Sequence, residues 1–408
     1  MPQQDFQRLG VQGWLRSDGR KGIRNIVVVA YLVECAHHVA REMAAPFRDG
    51  RQVHLIGFGG CYPNAYAAKM MRRLCTHPNV GAVLLVSLGC ESFNRADLAA
   101  HIAASGRPVS TVVIQDTGGT RSSIATGRRW IATALQTIAS NPRVQVDWTD
   151  LVVGTICGGS DATSGITANP AIGKAFDRLA ELGSVTIFEE TGELIGCEHI
   201  MAARATRPDL ANQLLAAVAK AARHYSTLSH GSFAPGNADG GLTTIEEKSM
   251  GAYSKSGSAL IQGIIKPGDH PPTPGLYLLD VVPDGEVRFG FANINDNAEI
   301  VELIACGSQV VLFSTGRGSV VGSAIAPVIK VCANPETFRR MPEDMDIDAG
   351  RVLRREATLD QVGAEILRKV VSVAEGTPTV SEELGHQEFA LTYKTFEPLG
   401  PGCLPSTR

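Results

Sequence analysis

The sequence predicts an α/β protein of two domains, each built on a mainly parallel, doubly wound sheet. Three observations carry this. Continuous apolar, β-branched runs recur along the chain. Each ends in a short turn rich in Gly, Cys or Asp. Each turn opens a helical stretch. Unbroken apolar runs of strand length belong to strands buried on both faces, and strict strand–helix alternation implies right-handed crossovers between parallel strands. The chain has 408 residues, 44% hydrophobic and 19% charged, an ordinary globular balance with enough length for two cores.

The elements follow in order. "NIVVVAYLV" is a strand, "ECA" its turn and "HHVAREMAAPF" its helix. "QVHLIGF", "GGCYPN" and "AYAAKMMRRLCTH" repeat the unit, as do "VGAVLLVSLG", "CESFN" and "RADLAAHIAAS". A fourth unit runs through "PVSTVVIQ" and "DTGGT" into a helix from Arg121 to about Ser140. These units form a first domain over residues 1–148. Cys35, Cys61 and Cys90 stand at or just after three strand ends, and Asp116 after the fourth. In open parallel sheets ligands bind beyond the carboxyl ends, so the three thiols and the carboxylate are expected on one rim. Any single cysteine there reads as a small buried residue; three in the same topological position point to function. Cys75, inside a helix, reads as core.

The second domain, residues 149–408, opens with the strand "LVVGTIC" and the loop "CGGSDATSGITANP". The loop's Gly, Ser and Thr let backbone N–H groups approach an anion at the next helix N-terminus. That helix, "NPAIGKAFDRLAEL", is expected to start at Asn169 as N-cap with Pro170 in its first turn and to stop at Gly183. The strand "SVTIFEE" delivers Glu190, and Glu193 follows at the next helix start. "GNADGGLTTIEEKSMGAYSKSG" lacks apolar periodicity and reads as a long functional loop; it carries Glu247, Lys248 and Lys255. "SQVVLFSTGRGS" is a further strand and loop, with Arg317 as a carboxylate fork.

Several function classes are excluded. The formal charge of −3 and the lack of basic runs give no nucleic-acid footprint. The N-terminus has no signal-peptide pattern, and the apolar runs are too short to span a bilayer. Nine cysteines without disulfide-type spacing read as reduced thiols of a cytoplasmic protein. The opening loop of the second domain lacks both the Lys-Ser/Thr pair of a phosphate loop and the GxGxxG of a dinucleotide site, so ATP and NAD are rejected.

"GWLRSDGRKGIRN", "THPNVGAVLLVSLGCE", "CGGSDATSGITANPAIG", "GGLTTIEEKSMGAYSKSG" and "VVLFSTGRGS" together resemble the altronate/galactarate dehydratase family, from about Gly13 to Asp348. The resemblance implies a lyase that removes water from a sugar acid to leave a 2-keto-3-deoxy acid, with iron. The family's recurrent residues map onto Arg20, Gly22, Arg24, Asn25, Cys35, Cys61, Cys90, Glu91, Cys157, Asp161, Asn169, Glu190, Glu193, Glu247 and Lys248. We therefore expect Lys248, Glu247 and Asp161 as catalytic groups. Arg24, Asn25, Ser160, Ser164, Asn169, Arg317 and Lys255 are expected to hold substrate. Cys35, Cys61, Cys90, Cys157, Glu190 and Glu193 are expected as metal ligands, for Fe²⁺ first, with an iron–sulfur cluster or Mn²⁺ as alternatives. Two departures from the family pattern stand out. The chain starts almost at its first motif, without the small N-terminal domain of single-chain members. A separate small subunit is expected to supply it, as in the related sulfolactate sulfo-lyases. "CYPNAYAAK" after Cys61 is less polar than in relatives, which points away from a polyol. The alternative functions are a carbon–sulfur lyase acting on sulfolactate and a non-catalytic ligand-binding subunit. A homo-oligomer is expected.

Overall fold

The computed structural model describes residues 9–50, 52–227, 232–284, 295–391 and 393–396. The described strands are β1 (Val11–Leu15), β2 (Lys21–Gly22), β3 (Ile26–Tyr31), β4 (Val53–Gly57), β5 (Val80–Ser87), β6 (Val109–Val113), β7 (Arg143–Val146), β8 (Val152–Cys157), β9 (Val185–Phe188), β10 (Ile261–Ile265), β11 (Gly275–Leu279), β12 (Val310–Thr315), β13 (Val328–Cys332) and β14 (Ile347–Asp348). The first parallel sheet has the order β4-β3-β5-β6, and the second the order β10-β11-β9-β8-β12-β13-β14. Every pairing in both is parallel, as the unbroken apolar runs predict. β5 is buried at all eight positions, so the run "VGAVLLVS" carries no alternation to betray a solvent face.

Both sheets reverse their winding direction in the middle. In the first, β3 and β5 flank the reversal; in the second, β8 and β12 do. Doubly wound sheets open a crevice at such a point, beyond the carboxyl ends. Cys35, Cys61, Cys90 and Asp116 all follow carboxyl ends of the first sheet. Cys157 ends β8 of the second, and Glu190 and Arg317 follow its β9 and β12.

One element was not foreseen. β1 pairs antiparallel with β2 and with β7, so "GWLRSDGRKGIRN" folds as a hairpin strapped to the end of the first unit. Its polar residues are structural. Arg16, 4% exposed, donates to the Pro78 carbonyl at 2.6 Å, to Asn25 Oδ1 at 2.8 Å and to the Arg24 carbonyl at 2.8 Å. Asn25 also donates to the Ile138 carbonyl at 2.7 Å. Arg24 forks onto the Glu382 carboxylate at 2.8 and 2.9 Å and donates to the Val373 carbonyl. Arg24 and Asn25 sit at the amino end of β3, the wrong end for ligand. In the structure their contacts are structural: Arg24 joins the first sheet to the C-terminal helices and Asn25 ties it to the helix Thr120–Ala139.

A continuous apolar core passes between the sheets, from Val28, Ile56 and Leu85 to Ile300, Val311 and Ala324. The helix Asp296–Ala305 lies in it and is buried over most of its circumference, as its apolar run requires. Glu302 on that helix accepts from Tyr66 at 2.6 Å and from Lys394 at 2.8 Å. It thereby ties the helix Ala65–Cys75 and the C-terminal segment to the second sheet. Among the described residues no helix is long and apolar enough to cross a membrane.

Candidate active site

The site lies at the carboxyl end of the second sheet. Parallel pairing sets Ser314 of β12 beside Cys157 of β8 and aligns β9 on the other side, so the loops after these three strands converge. Cys157 is buried at the hinge of its loop. Its backbone N–H donates to Glu190 Oε2 at 2.9 Å, and its Sγ lies 3.1 Å from that oxygen and 3.0 Å from Glu193 Oε2. These three side chains place one ligand atom each within 4.8 Å of one another, the one set of three or more such groups among the described residues. Two lysines complete it. Lys255, 1% exposed, pairs with Glu190 and lies 3.4 Å from the Cys157 sulfur. Lys248 pairs with Glu193.

Backbone geometry aims these groups. Glu190 has φ 83° and ψ 57°; besides Arg355 it is the only described non-glycine residue with positive φ. Such a conformation costs a Cβ-bearing residue roughly 1–2 kcal/mol and clusters at functional sites. The left-handed turn redirects the chain at the end of β9. Glu193 then enters on a 3₁₀ turn, its N–H donating to the Glu190 carbonyl at 2.8 Å. Gly158 is needed for space, since a Cβ there would overlap the Asp296 carboxylate and the Phe313 ring.

Cys157, Gly158, Glu190, Glu193 and Lys248 line a cavity of about 850 Å³ together with Ser160, Tyr225, Asn237, Asp296, Glu299 and Arg317. Burial and the Glu193 charge push the Cys157 thiol up to about 12, against the pull of Lys255 and Lys248. Burial drags the Lys248 ammonium down, but Glu193 and Cys157 outweigh it and hold the lysine above its ordinary value. Burial and Glu193 raise Asp296 to about 6. Burial raises Glu299 to about 8, with Lys394 opposing and Asp296 reinforcing. Behind the cavity, Glu189 is buried with neither oxygen hydrogen-bonded. Burial and then Glu299 push its carboxyl well above the usual range.

The structure thus brings together Cys157, Glu190, Glu193, Lys248, Lys255, Ser160 and Arg317. It does not bring the other expected residues to the cavity. Asp161 is a loop staple: its Oδ1 accepts from the Thr163 N–H at 2.9 Å, the Thr163 hydroxyl at 2.6 Å and the Ser164 hydroxyl at 3.3 Å, and its Oδ2 accepts from Asn334 at 2.8 Å. These bonds fix the loop that follows β8, and Ser164 serves the same turn through its hydroxyl. Asn169 is not the helix N-cap, which falls at Thr167; its side chain is held by Ser314 at 2.5 Å and donates to the Gly251 carbonyl. Glu247 is exposed and accepts from the Thr243 N–H at 2.7 Å. It closes the first turn of the helix Ile245–Tyr253, capped by Thr244. That helix, with Pro235–Asp239, replaces the long irregular loop expected there. Cys35, Cys61 and Cys90 line the rim of the first sheet and do not join Cys157.

Asp296 and Glu299 were missed. Both project from one helix three residues apart, and the sequence signal was "NDNAEIVELIA", three acids, Asp296, Glu299 and Glu302, in a largely apolar helix. Asn295 caps it by accepting from the Ala298 N–H at 3.0 Å, so Asp296 also reads as an ordinary first-turn acid.

The described geometry has counterparts in known proteins. A family model described as D-galactarate/altronate dehydratase, C-terminal, matches residues 148–396. A second, D-galactarate dehydratase/altronate hydrolase, second domain, matches residues 13–139. The chain is 36% identical over 395 residues to the (2R)-sulfolactate sulfo-lyase subunit beta of Chromohalobacter salexigens, covering 93% of this chain and 96% of the relative. It is 28% identical to the altronate dehydratase of Escherichia coli, over 95% of this chain and 80% of the relative. It is 30% identical to the galactarate dehydratase (L-threo-forming) of the same organism, over 79% and 62%. All three relatives are lyases by name, and over this extent of match the chain belongs to the D-galactarate/altronate dehydratase family.

Proposed function

We propose that this chain is a metal-dependent lyase that performs a β-elimination on a small hydroxy acid bearing hydroxyls on C2 and C3, releasing the C3 hydroxyl as water to give a 2-keto-3-deoxy acid. The observation that carries this reading is the buried Cys157–Glu190–Glu193 set, flanked by two lysines and opening on a cavity with two further acids. A non-catalytic subunit has no use for a strained, buried and charge-dense arrangement of that kind.

The donor set fits a metal. One thiol and two carboxylates converge, and a mixed soft and hard set suits Fe²⁺ better than Mg²⁺. The thiol at about 12 would give up its proton on ligation, as metal-bound cysteines do. Cys157, Glu190 and Glu193 would hold the ion, which supplies Lewis acidity for the developing enediolate. The remaining steps belong to the chain. Arg317 and the charged Lys248 line the cavity and hold the substrate carboxylate. Asp296, ionised at neutral pH yet unusually basic, takes the C2 proton. Glu299, still protonated there, gives its proton to the group leaving C3. Two carboxyl groups pushed to different pKa values are the usual arrangement for paired acid and base. The C2–C3 enol then tautomerises to the 2-keto acid.

The sulfo-lyase relative, matched along nearly its whole length, favours a second reading. The same steps on sulfolactate expel sulfite instead of water and leave pyruvate. That relative is named as a beta subunit, which supports a requirement for a small partner subunit. One experiment tests both readings. An anaerobic, Fe²⁺-loaded sample, with and without a candidate small subunit, is offered 2-hydroxy acids, and 2-keto acid and sulfite are measured separately. Keto acid without sulfite supports the dehydratase, equal amounts of both support the sulfo-lyase, and neither product in any arm refutes the lyase assignment.

A further inference from the structure

We propose that the carboxyl rim of the first sheet is a second metal centre, an iron–sulfur site ligated by Cys35, Cys61 and Cys90. It is separate from the Cys157 site and goes beyond the lyase reading.

The cysteine distribution is the first argument. Of the eight described cysteines, Cys75, Cys157, Cys197, Cys306 and Cys332 are buried, and Cys35, Cys61 and Cys90 are exposed. Cysteine behaves as a small apolar residue and is ordinarily buried. The three exceptions all occupy the same place, the turn following the carboxyl end of β3, β4 or β5. None of the three is in a disulfide.

Topology is the second. The order β4-β3-β5-β6 reverses between β3 and β5, so the crevice that such sheets use for ligands lies between the loops carrying Cys35 and Cys90. Cys61 follows β4, on the far side of β3, but two hydrogen bonds draw the loops together. The Glu34 N–H donates to the Gly59 carbonyl at 3.1 Å, and the Ser92 N–H to the Cys61 carbonyl at 2.9 Å. The second bond bridges the loops after β4 and β5 and spans the intervening strand. The turns are built for close backbone approach: Gly59 and Gly60 precede Cys61, and Gly89, at φ 126°, precedes Cys90. Glu91 holds its turn by accepting from the Gly89 N–H at 2.9 Å and from Ser87, so the neighbouring acid shapes the loop and leaves the thiol to face solvent.

Chemistry selects the occupant. Three soft thiol donors suit iron–sulfur, Cu⁺ or Zn²⁺. The three sulfurs do not all lie within 4.8 Å of one another, the span over which Cys157, Glu190 and Glu193 converge. A single ion needs all its ligands on one small sphere. A cluster takes each thiolate on a different iron and accepts sulfurs set farther apart, and three thiolates leave one iron open.

The test is anaerobic reconstitution of the full chain with iron and sulfide, followed by iron and acid-labile sulfide assay and the visible thiolate-to-iron absorption. The variants are Cys35→Ser, Cys61→Ser and Cys90→Ser, all at exposed positions, and Glu190→Gln at the other site. Sulfide and visible absorption are expected in the wild type and in E190Q, and each serine variant is expected to lose them while its circular dichroism is unchanged. Absence of acid-labile sulfide in the reconstituted wild type overturns the proposal, as does sulfide retained in all three serine variants. Loss of sulfide in E190Q alone would transfer the cluster to the Cys157 site and overturn it equally.

Discussion

Replacing Lys255 by Met removes the ammonium at the centre of the candidate active site and keeps the volume. Lys255 is 1% exposed, and its Nζ faces Glu190, the Cys157 sulfur at 3.4 Å and Glu193 at 3.9 Å. In K255M the Glu190 carboxylate keeps only the N–H and thiol of Cys157 as donors. Breaking one partner out of a buried ion pair costs about 3–5 kcal/mol. The entropy of unfolding is about 2.1 cal/mol/K per residue. Over 408 residues that is about 0.9 kcal/mol/K, so the midpoint is expected to fall by about 4–6 °C. Anaerobic calorimetry of metal-free protein measures it. The E190Q/K255M double variant should recover most of the loss, because the stranded charge is gone. Adding Fe²⁺ should raise the midpoint of K255M more than that of the wild type, since a cation then replaces the missing one. A change within the roughly 0.5 kcal/mol scatter of surface substitutions would refute the reasoning, as would equal metal stabilisation of both proteins.

Four further outcomes are expected. The pH profile of kcat/KM should rise as Asp296 loses its proton near 6 and fall as Glu299 loses its own near 8, with D296N lacking the rising limb; a profile flat from 5 to 9, on the scale of these values, counts against both roles. Glu299 is an acid whose folded pKa is raised from 4.5 to about 8. Between those values the folded state keeps a proton that the unfolded state has lost, so stability should decline as pH rises through that window, and E299Q should flatten the decline in melts run across it. Arg24→Ala should lower the melting midpoint, by about 2–3 kcal/mol of stability for the lost charged hydrogen bonds to Glu382 and Val373, without changing KM; a raised KM would return Arg24 to the substrate site. Chelation should abolish turnover and bring one further buried cysteine into slow reaction with thiol reagents, and C157S should lack that additional reactive thiol.

The fold was legible where residue pattern and burial agree. Unbroken apolar runs such as "NIVVVAYLV" and "VGAVLLVSLG" could only be strands covered on both faces, and their alternation with helices left few topologies open. The antiparallel strap was illegible for the same reason: β2 has two residues and β7 four, with an exposed-first pattern, and pairing between residues so far apart leaves no local trace. The placement of Arg24 and Asn25 was illegible for a related reason. A motif rich in Arg, Asn and Gly looks identical whether its donors face a ligand or the buried carbonyls of a neighbouring segment, and only the end of β3 on which they fall tells these apart.

Glu189 and Glu190 show why the site was only half legible. In an extended strand, successive side chains alternate faces, so two acids in a row place one on each side of the sheet. The sequence could say that a strand ended in two acids; it could not say which faced the ligand. The answer depends on a local cost. Glu190 adopts the left-handed conformation, which glycine would adopt without strain, and its carboxylate is held by the Cys157 N–H and Lys255. Glu189, just past the end of β9, is buried close to Glu299 and Lys255 of the same site, and its oxygens find no hydrogen-bond partner among the described residues. Were Glu190 present only to end the strand, glycine would serve better by roughly 1 kcal/mol or more. A charged, strained residue is stable here only while the groups it faces hold it. The conformation, the buried lysine and the thiol therefore form one unit, and each is explained by what the other two bind.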